Sequence, residues 1–420
     1  MTDEAALLRA ICAHPDEDTP RLAFADLLEE ESDSLRAAFI RKQVELARAP
    51  EYDPLWVKCQ QFDPATISGW AMAHTLPTVP PGYSWHQFEF RRGFPWKVGV
   101  RSLEAFVDGG SAIFDAAPIQ ALEISDRGRV DLAALAEWPH LARLRRLDFS
   151  VYRVGPTGAA HLCKSEFSGN LRELTFASNA ITAEGLETLA GSRLFRQIEV
   201  FELRSSAIAP ALLVDALAAA QGAAELRVVS LHGNRVTQYD APHLFALPVM
   251  RDLEKLDLED NRLDVAGVEA LAQSGIVRGL RTLNLGRTRP GVPGLQALLS
   301  AGGMSGIRSL NLSNNRLGPV AAKALAESPA ARGLRVLNLS NNPIGHAGVT
   351  ALAKSKSLAG LIDLDVSDVG LGDAGAMELA DSPHLDGLIR LNLRGHSAAR
   401  PLGHAARTAL EARFGGRVTI

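Results

Sequence analysis

Residues 307–328 read IRSLNLSNNRLGPVAAKALAES, and residues 334–355 read LRVLNLSNNPIGHAGVTALAKS. The two stretches start 27 residues apart and share the pattern L-x-x-L-x-L-x-x-N-x-L, followed by a tail rich in Gly and Ala. Self-similarity at a fixed step of this size marks stacked supersecondary units, none of which can bury its apolar face alone. Outward from these two, the first position of the pattern falls on Ile119, Leu144, Leu171, Ile198, Leu226, Leu253, Leu280, Ile307, Leu334, Leu361 and Leu388. The steps are 25, 27, 27 and 28, then six of 27. The two halves of each unit have different periods. The L-x-L core, as in Leu256/Leu258, Leu310/Leu312 and Leu337/Leu339, alternates like a short strand with its leucines inward. Parallel strands need a crossover, and the tails beginning at Gly185, Gly267 and Gly348, each running through L-A four to five residues later, predict return helices.

The ninth position carries Asn179, Asn234, Asn261, Asn315 and Asn342. An amide there can bond the backbone where the strand turns away, so these residues are expected to form a structural ladder between units. Arg127, Tyr152, Ser206, Thr288, Val369 and His396 occupy the same slot elsewhere, which predicts interruptions. The pattern resembles the leucine-rich repeat, and its length and helical tail resemble the ribonuclease-inhibitor type, also used by Ran GTPase-activating proteins. The resemblance covers about residues 119–398. It implies an α/β solenoid, curved, with a parallel sheet on the concave side and helices on the convex side. It says little about activity, because function resides in sites grafted onto folds.

Composition agrees with such an array and excludes other classes. The chain has 420 residues, 46% of them hydrophobic and only 6% aromatic, with 44 Lys+Arg against 48 Asp+Glu for a net charge of −4. That balance argues against a generic nucleic-acid binder. Cys12, Cys59 and Cys163 are far apart, so neither a disulfide framework nor a zinc module is expected. Cys163 is expected to be a small buried hydrophobe. No leader-like apolar segment or membrane-length run is present, which predicts a cytoplasmic location.

The ends depart from the repeat. Residues 1–50 hold 11 acidic and 6 basic side chains and show three amphipathic segments, residues 3–13, 21–31 and 34–48, with Thr19 as an expected N-cap ahead of Pro20. This stretch resembles the bacterial "repeat-companion" domain. It matches that pattern at Ala13, Pro15, Asp18, Pro20, Arg21, Leu22, Ala25, Asp26, Leu28, Glu29 and Glu30. It matches again at Arg36, Ala37, Phe39, Ile40, Arg41, Gln43, Glu45, Leu46 and Ala47. The resemblance implies a small N-terminal all-α module and no activity. Asp16 and Asp18 are expected to cap a helix. The expected domains are 1–50, the helical module; 51–118, a linker helix and cap; 119–398, eleven repeats; and 399–420, a C-terminal cap. In the caps, Trp56, Trp70, Trp85 and Trp96 are expected to fill an irregular core, Val98 and Val100 to form a strand, residues 102–115 a helix, and Pro401 to open a last helix before a final strand at residues 417–420.

No metalloprotease, nucleophile-elbow, P-loop or dinucleotide motif occurs, so no catalytic, cofactor or metal residues are assigned and the chain is expected to be no enzyme. On the concave face the fifth and seventh positions should meet solvent. Around repeats 7–9 they are mostly Ser and Asn, but in repeats 4–6 Glu202, Arg204, His232, Glu254, Lys255, Asp257, Glu259 and Asp260 stand out as a candidate protein-binding patch. The expected function is a scaffold, monomeric on its own, that holds a protein partner on this face or on the acidic N-terminal module, with neither a membrane nor a nucleic acid as partner. The alternatives are regulation of a GTPase and an enzymatic site in the N-terminal module.

Overall fold

A computed structural model of the chain describes residues 3–50, 52–54, 89–125, 132–149, 154–178, 180–206, 208–220, 225–395 and 402–420. The chain divides into two compact units. One comprises Met1–Glu51, Cys59–Ile208 and Asp215–Glu225; the other comprises Tyr52–Lys58, Ala209–Val214 and Leu226–Ile420.

The first unit begins with three helices, α1 (Asp3–Ala13), α2 (Thr19–Glu30) and α3 (Ser34–Ala47). Their apolar faces meet in a core of Ile11, Phe24, Ala25, Leu28, Ala37, Ile40 and Val44, joined by Phe94 from the strand ladder. Phe24 and Phe94 meet edge to face, 5.5 Å between ring centres. Asp33 caps α3 by accepting from the Arg36 N–H. At α2 the residue before the helix is Asp18 rather than Thr19, and its carboxylate makes no cap bond. It is held instead by Arg48 at 2.6 Å and faces Arg92 at 3.4 Å. Two guanidiniums thus stand around this carboxylate in place of the helix N–H groups, with Arg48 donating to it from both Nε and Nη2.

Strand β1 (Glu89–Arg91) runs antiparallel to β2 (Phe94–Val100). The turn between them, Arg92-Gly93, has positive φ at both residues. A Cβ on Gly93 would lie 2.5 Å from Ile40 Cγ1, so this turn needs glycine for both its backbone and its contact with α3. From β2 the chain repeats strand and helix: β3 (Ala121–Ile124), β4 (Arg146–Phe149), β5 (Glu173–Ala177) and β6 (Val200–Arg204), each parallel to the one before. The segment read as one helix over residues 102–115 is two, Leu103–Gly109 and Ser111–Ala116. Trp96 is buried and donates its indole N–H to Gln120 Oε1 at 3.2 Å. Trp56, Trp70, Trp85, Asn179, Arg127, Tyr152, His396 and Pro401 lie outside the described residues.

The second unit continues the same alternation with β7 (Val228–Ser230), β8 (Lys255–Asp257), β9 (Thr282–Asn284), β10 (Ser309–Asn311), β11 (Val336–Asn338), β12 (Asp363–Asp365), β13 (Arg390–Asn392) and β14 (Val418–Thr419). All pairings are parallel, and the 27-residue step sets the register: Leu283, Leu310 and Leu337 are neighbours. The last helix, His404–Phe414, starts after Gly403. It leads into β14, which pairs with β13.

Buried amides close the turns after these strands. Asn342 Nδ2 donates to the carbonyls of Leu312, Leu339 and Ser340, while its Oδ1 accepts the N–H groups of Asn315 and Leu317. Asn315 binds Leu285, Leu312, Thr288 and Arg289 in the same way, and Asn261 binds Leu231, Leu258, Glu259 and Val236. Asn234 is fully buried, with Nδ2 on the His232 carbonyl. Where Thr288 replaces Asn, its hydroxyl donates to the carbonyl three residues back, Leu285. The position just before the amide carries a positive φ at Ser178, Ser205, Gly233, Asp260, Arg287, Asn314, Asn341, Asp368 and Gly395. That left-handed residue is what turns the strand, and it favours Gly, Asn and Asp.

Candidate functional site

Within each strand the leucines point inward, so the third and fifth positions of a repeat share the outer face. In the first unit this face is charged and largely self-paired. Lys97 and Glu123 form a buried pair at 3.2 Å. Arg146 on β4 reaches Asp148 at 3.3 Å, Glu173 at 3.9 Å and Glu202 at 3.8 Å. Glu202 also accepts from Thr175 and from Arg204, the latter at 3.0 Å. Burial pushes the Glu173 carboxyl above its ordinary range, against the pull of Arg91, Arg146 and Arg145. Of the candidate patch, Glu202 and Arg204 thus belong to a network whose other members sequence reasoning passed over.

In the second unit a smaller group gathers on β7 and β8. Asp257 accepts from Ser230 Oγ at 3.0 Å and from the Glu259 N–H at 3.0 Å. Glu259 accepts from Asn284 Nδ2 at 3.0 Å. His232 Nδ1 lies 4.0 Å from Glu259 Oε2. Three of the patch residues, His232, Asp257 and Glu259, therefore come together. Lys255 is on the same strand face, two residues before Asp257. Glu254 lies at the strand entry and pairs in the open with Arg227 at 2.8 Å. Asp260 occupies the left-handed turn position, where its N–H donates to the Gly286 carbonyl, so its place in the repeat is explained by backbone shape. Further along, Asp363 accepts two bonds from Arg390, at 2.9 and 2.6 Å, and Asn392 donates to Asp365 at 2.8 Å.

Several arginines at the second position of the repeat, the residue after its first Leu or Ile, bond backbone carbonyls. Arg281, Arg308 and Arg335 donate to the carbonyls of Gly306, Gly333 and Gly360, each closing the turn of the next repeat. Arg172 donates to the Gly169 and Leu171 carbonyls, and Arg417 to that of Leu388. Carbonyls at the end of a short helical turn have no intrahelical partner, and side-chain donors supply one; Gln197 adds a second donor to those of Gly169 and Leu171.

The polar residues of the N-terminal helices are likewise engaged. Arg41 bridges Asp26 and Glu29 at 2.7 and 2.6 Å. Arg21 donates to the Glu17 carbonyl, and Arg36 lies over the Phe24 ring. Asp16 faces Arg145 at 3.2 Å, at the rim of a cavity of about 330 Å³ lined also by Cys12, Gln120, Arg143, Asn170 and Arg172. Arg143 spends its guanidinium on the Cys12 and Phe114 carbonyls. Burial pushes the Cys12 thiol up to about 11, which leaves it little thiolate at neutral pH. Cys163 is half-buried, not fully buried as its repeat slot predicts, and burial raises its thiol as well. No helix among the described residues is long and apolar enough to cross a membrane.

Comparison with known proteins fits this geometry. The family described as "Leucine Rich repeat" matches residues 168–190, 249–272, 307–326 and 332–353. No curated protein matches. Among solved structures, the crystal structure of the yeast Rad7 and Elc1 complex aligns over 89% of this chain and 92% of that one, with 16% identity and a TM-score of 0.50. An internalin (inlF) from Listeria monocytogenes aligns over 66% of each chain, with 17% identity and a TM-score of 0.40. Matched segments, 27-residue register and strand-helix alternation agree: the chain has the leucine-rich-repeat fold.

Proposed function

We propose that the chain is a non-catalytic scaffold that holds a protein partner on the outer face of its strand ladder. The observation that carries this is the His232, Asp257, Glu259 and Asn284 group: polar and charged side chains side by side on the ladder, with both carboxylates held by neighbours before any partner arrives. A surface held in place this way loses little side-chain entropy on binding. The fold itself suits the role, since each repeat adds one strand to an extended surface. A chain of similar fold belongs to the yeast Rad7 and Elc1 complex. We further read residues 1–50 as the repeat-companion module, residues 119–398 as the repeat array, and the cytoplasm as its location.

Affinity capture from the native cell with the tagged full chain, at physiological salt and with mass spectrometry, tests the proposal. We expect one protein partner whose recovery falls at least tenfold on the double charge reversal Asp257→Lys, Glu259→Lys, because like charges placed across an interface are strongly disfavoured. Reversal of the exposed pair Lys323 and Glu327 on a return helix should leave recovery unchanged. Equal recovery with both variants would overturn the assignment of this face.

A further inference from the structure

We propose that His232, Asp257 and Glu259 form an open three-ligand site for a divalent first-row transition ion of the zinc type. The inference stands apart from the partner reading, since it concerns the chain alone. Its basis is the register of two neighbouring repeats. Ser230 pairs with Asp257, and beyond it the Gly233 N–H bonds the Glu259 carbonyl. That places His232 beside Glu259 across the ladder, with Asp257 two residues earlier on the same chain face. One ligand atom from each residue lies within 4.8 Å of the other two, and among the described residues no other three His, Cys, Asp or Glu side chains converge in this way.

The distances suit an ion better than a direct pair. At 4.0 Å, His232 Nδ1 is too far from Glu259 Oε2 for a hydrogen bond, and no described residue bonds the ring. Ligands held at about 2.0–2.2 Å from zinc sit roughly 3–4 Å from one another. The half-exposed side chains need only small rotations to close from the observed spacing. The carboxylates are also supported from outside the triad. Ser230 fixes Asp257, and Asn284 fixes Glu259 through Oε2, leaving Oε1 free. Outer partners of this kind are what orient ligands in metal sites. A mixed set of one imidazole and two carboxylates selects a transition ion over calcium or magnesium. Three protein ligands leave at least one coordination position facing solvent.

The test is calorimetric titration of the chelator-treated full chain with zinc chloride, with magnesium chloride as comparator. One zinc ion per chain should bind in the wild type beyond any bound by the variants, with magnesium far weaker. Glu259→Gln keeps the shape and the Asn284 contact, and His232→Asn removes the imidazole; each should weaken that ion by about tenfold or more. Circular dichroism identifies any variant that fails to fold. For that case a second measurement uses the wild type alone: zinc should protect His232 from diethylpyrocarbonate, read by peptide mass. Equal zinc binding in wild type and folded variants, or equal modification of His232 with and without zinc, would overturn the proposal.

Discussion

Replacing Asn342 by Ala lowers the unfolding free energy by about 3–5 kcal/mol, read as a shift of the urea midpoint, whereas Asn338→Ala costs under about 1 kcal/mol. Both residues are Asn, four apart, in the same repeat. Asn338 is half-exposed on β11 and accepts one bond, from the Ser340 N–H. Water can replace that bond. Asn342 is 1% exposed and makes five, two of them as acceptor for the N–H groups of Asn315 and Leu317 in the preceding repeat. Truncation strands those two donors where no solvent reaches, at about 1–3 kcal/mol each, and leaves a small void besides. Asn342→Asp separates the causes: it keeps the acceptor, loses the donor and buries a charge, so it should be at least as damaging as Ala. Equal costs at 338 and 342 would show that the amide contributes by packing alone. Because repeats couple to their neighbours, hydrogen exchange in Asn342→Ala should rise first at Asn315 and Leu317.

The fold was legible because one physical rule, leucines inward every second residue and a helix to return, is repeated often enough to survive local noise. The register of the ladder follows from the 27-residue step itself, as the Leu283, Leu310 and Leu337 alignment shows. The candidate site was legible only in part. Reading the fifth and seventh positions finds Glu202, Arg204, His232, Asp257 and Glu259, but the two-residue period puts the third position on the same face. Arg146, Glu173, Asp363 and Arg390 sit there, and they include the partners that neutralise the first network and both members of the Asp363–Arg390 pair. That signal was available in the sequence. Asp260 misled for the opposite reason. Its row also contains Arg287, Ser178 and Asn314, types with no common chemistry, and only the positive φ they share reveals a turn position. Asp18 shows a third limit. Cap geometry is local, whereas the contact with Arg92 links residues 74 apart in sequence and depends on the tertiary fold.

Arg390→Met is the second change expected to cost much, about 2–4 kcal/mol at neutral pH, and its partner substitution should reverse most of the loss. Asp363 is 2% exposed and lies between Val336 on β11 and Arg390 on β13. Burial pushes its carboxyl above the ordinary range even though two bonds from Arg390 pull the other way. Desolvation therefore outweighs attraction, as is common for buried pairs. Removing the guanidinium leaves an uncompensated carboxylate against valine. The usual cost of that is about 3–5 kcal/mol, reduced here because Arg390 is about a third exposed and water can follow it out. Acid relieves the defect. A carboxyl whose folded-state pKa is raised binds its proton more tightly when folded. The penalty is thus full above the folded pKa and fades as pH falls through it. The stability gap between Arg390→Met and the wild type should accordingly narrow on acidification, with Arg390→Met approaching the wild type rather than diverging from it. The double variant Asp363→Leu, Arg390→Met removes both charges and sets a leucine beside Val336, a cross-strand apolar pair. It should come within about 1 kcal/mol of the wild type or exceed it. If the double variant is instead as unstable as Arg390→Met alone, the ion pair contributes net stability, and attraction to Arg390 outweighs the cost of taking Asp363 out of water.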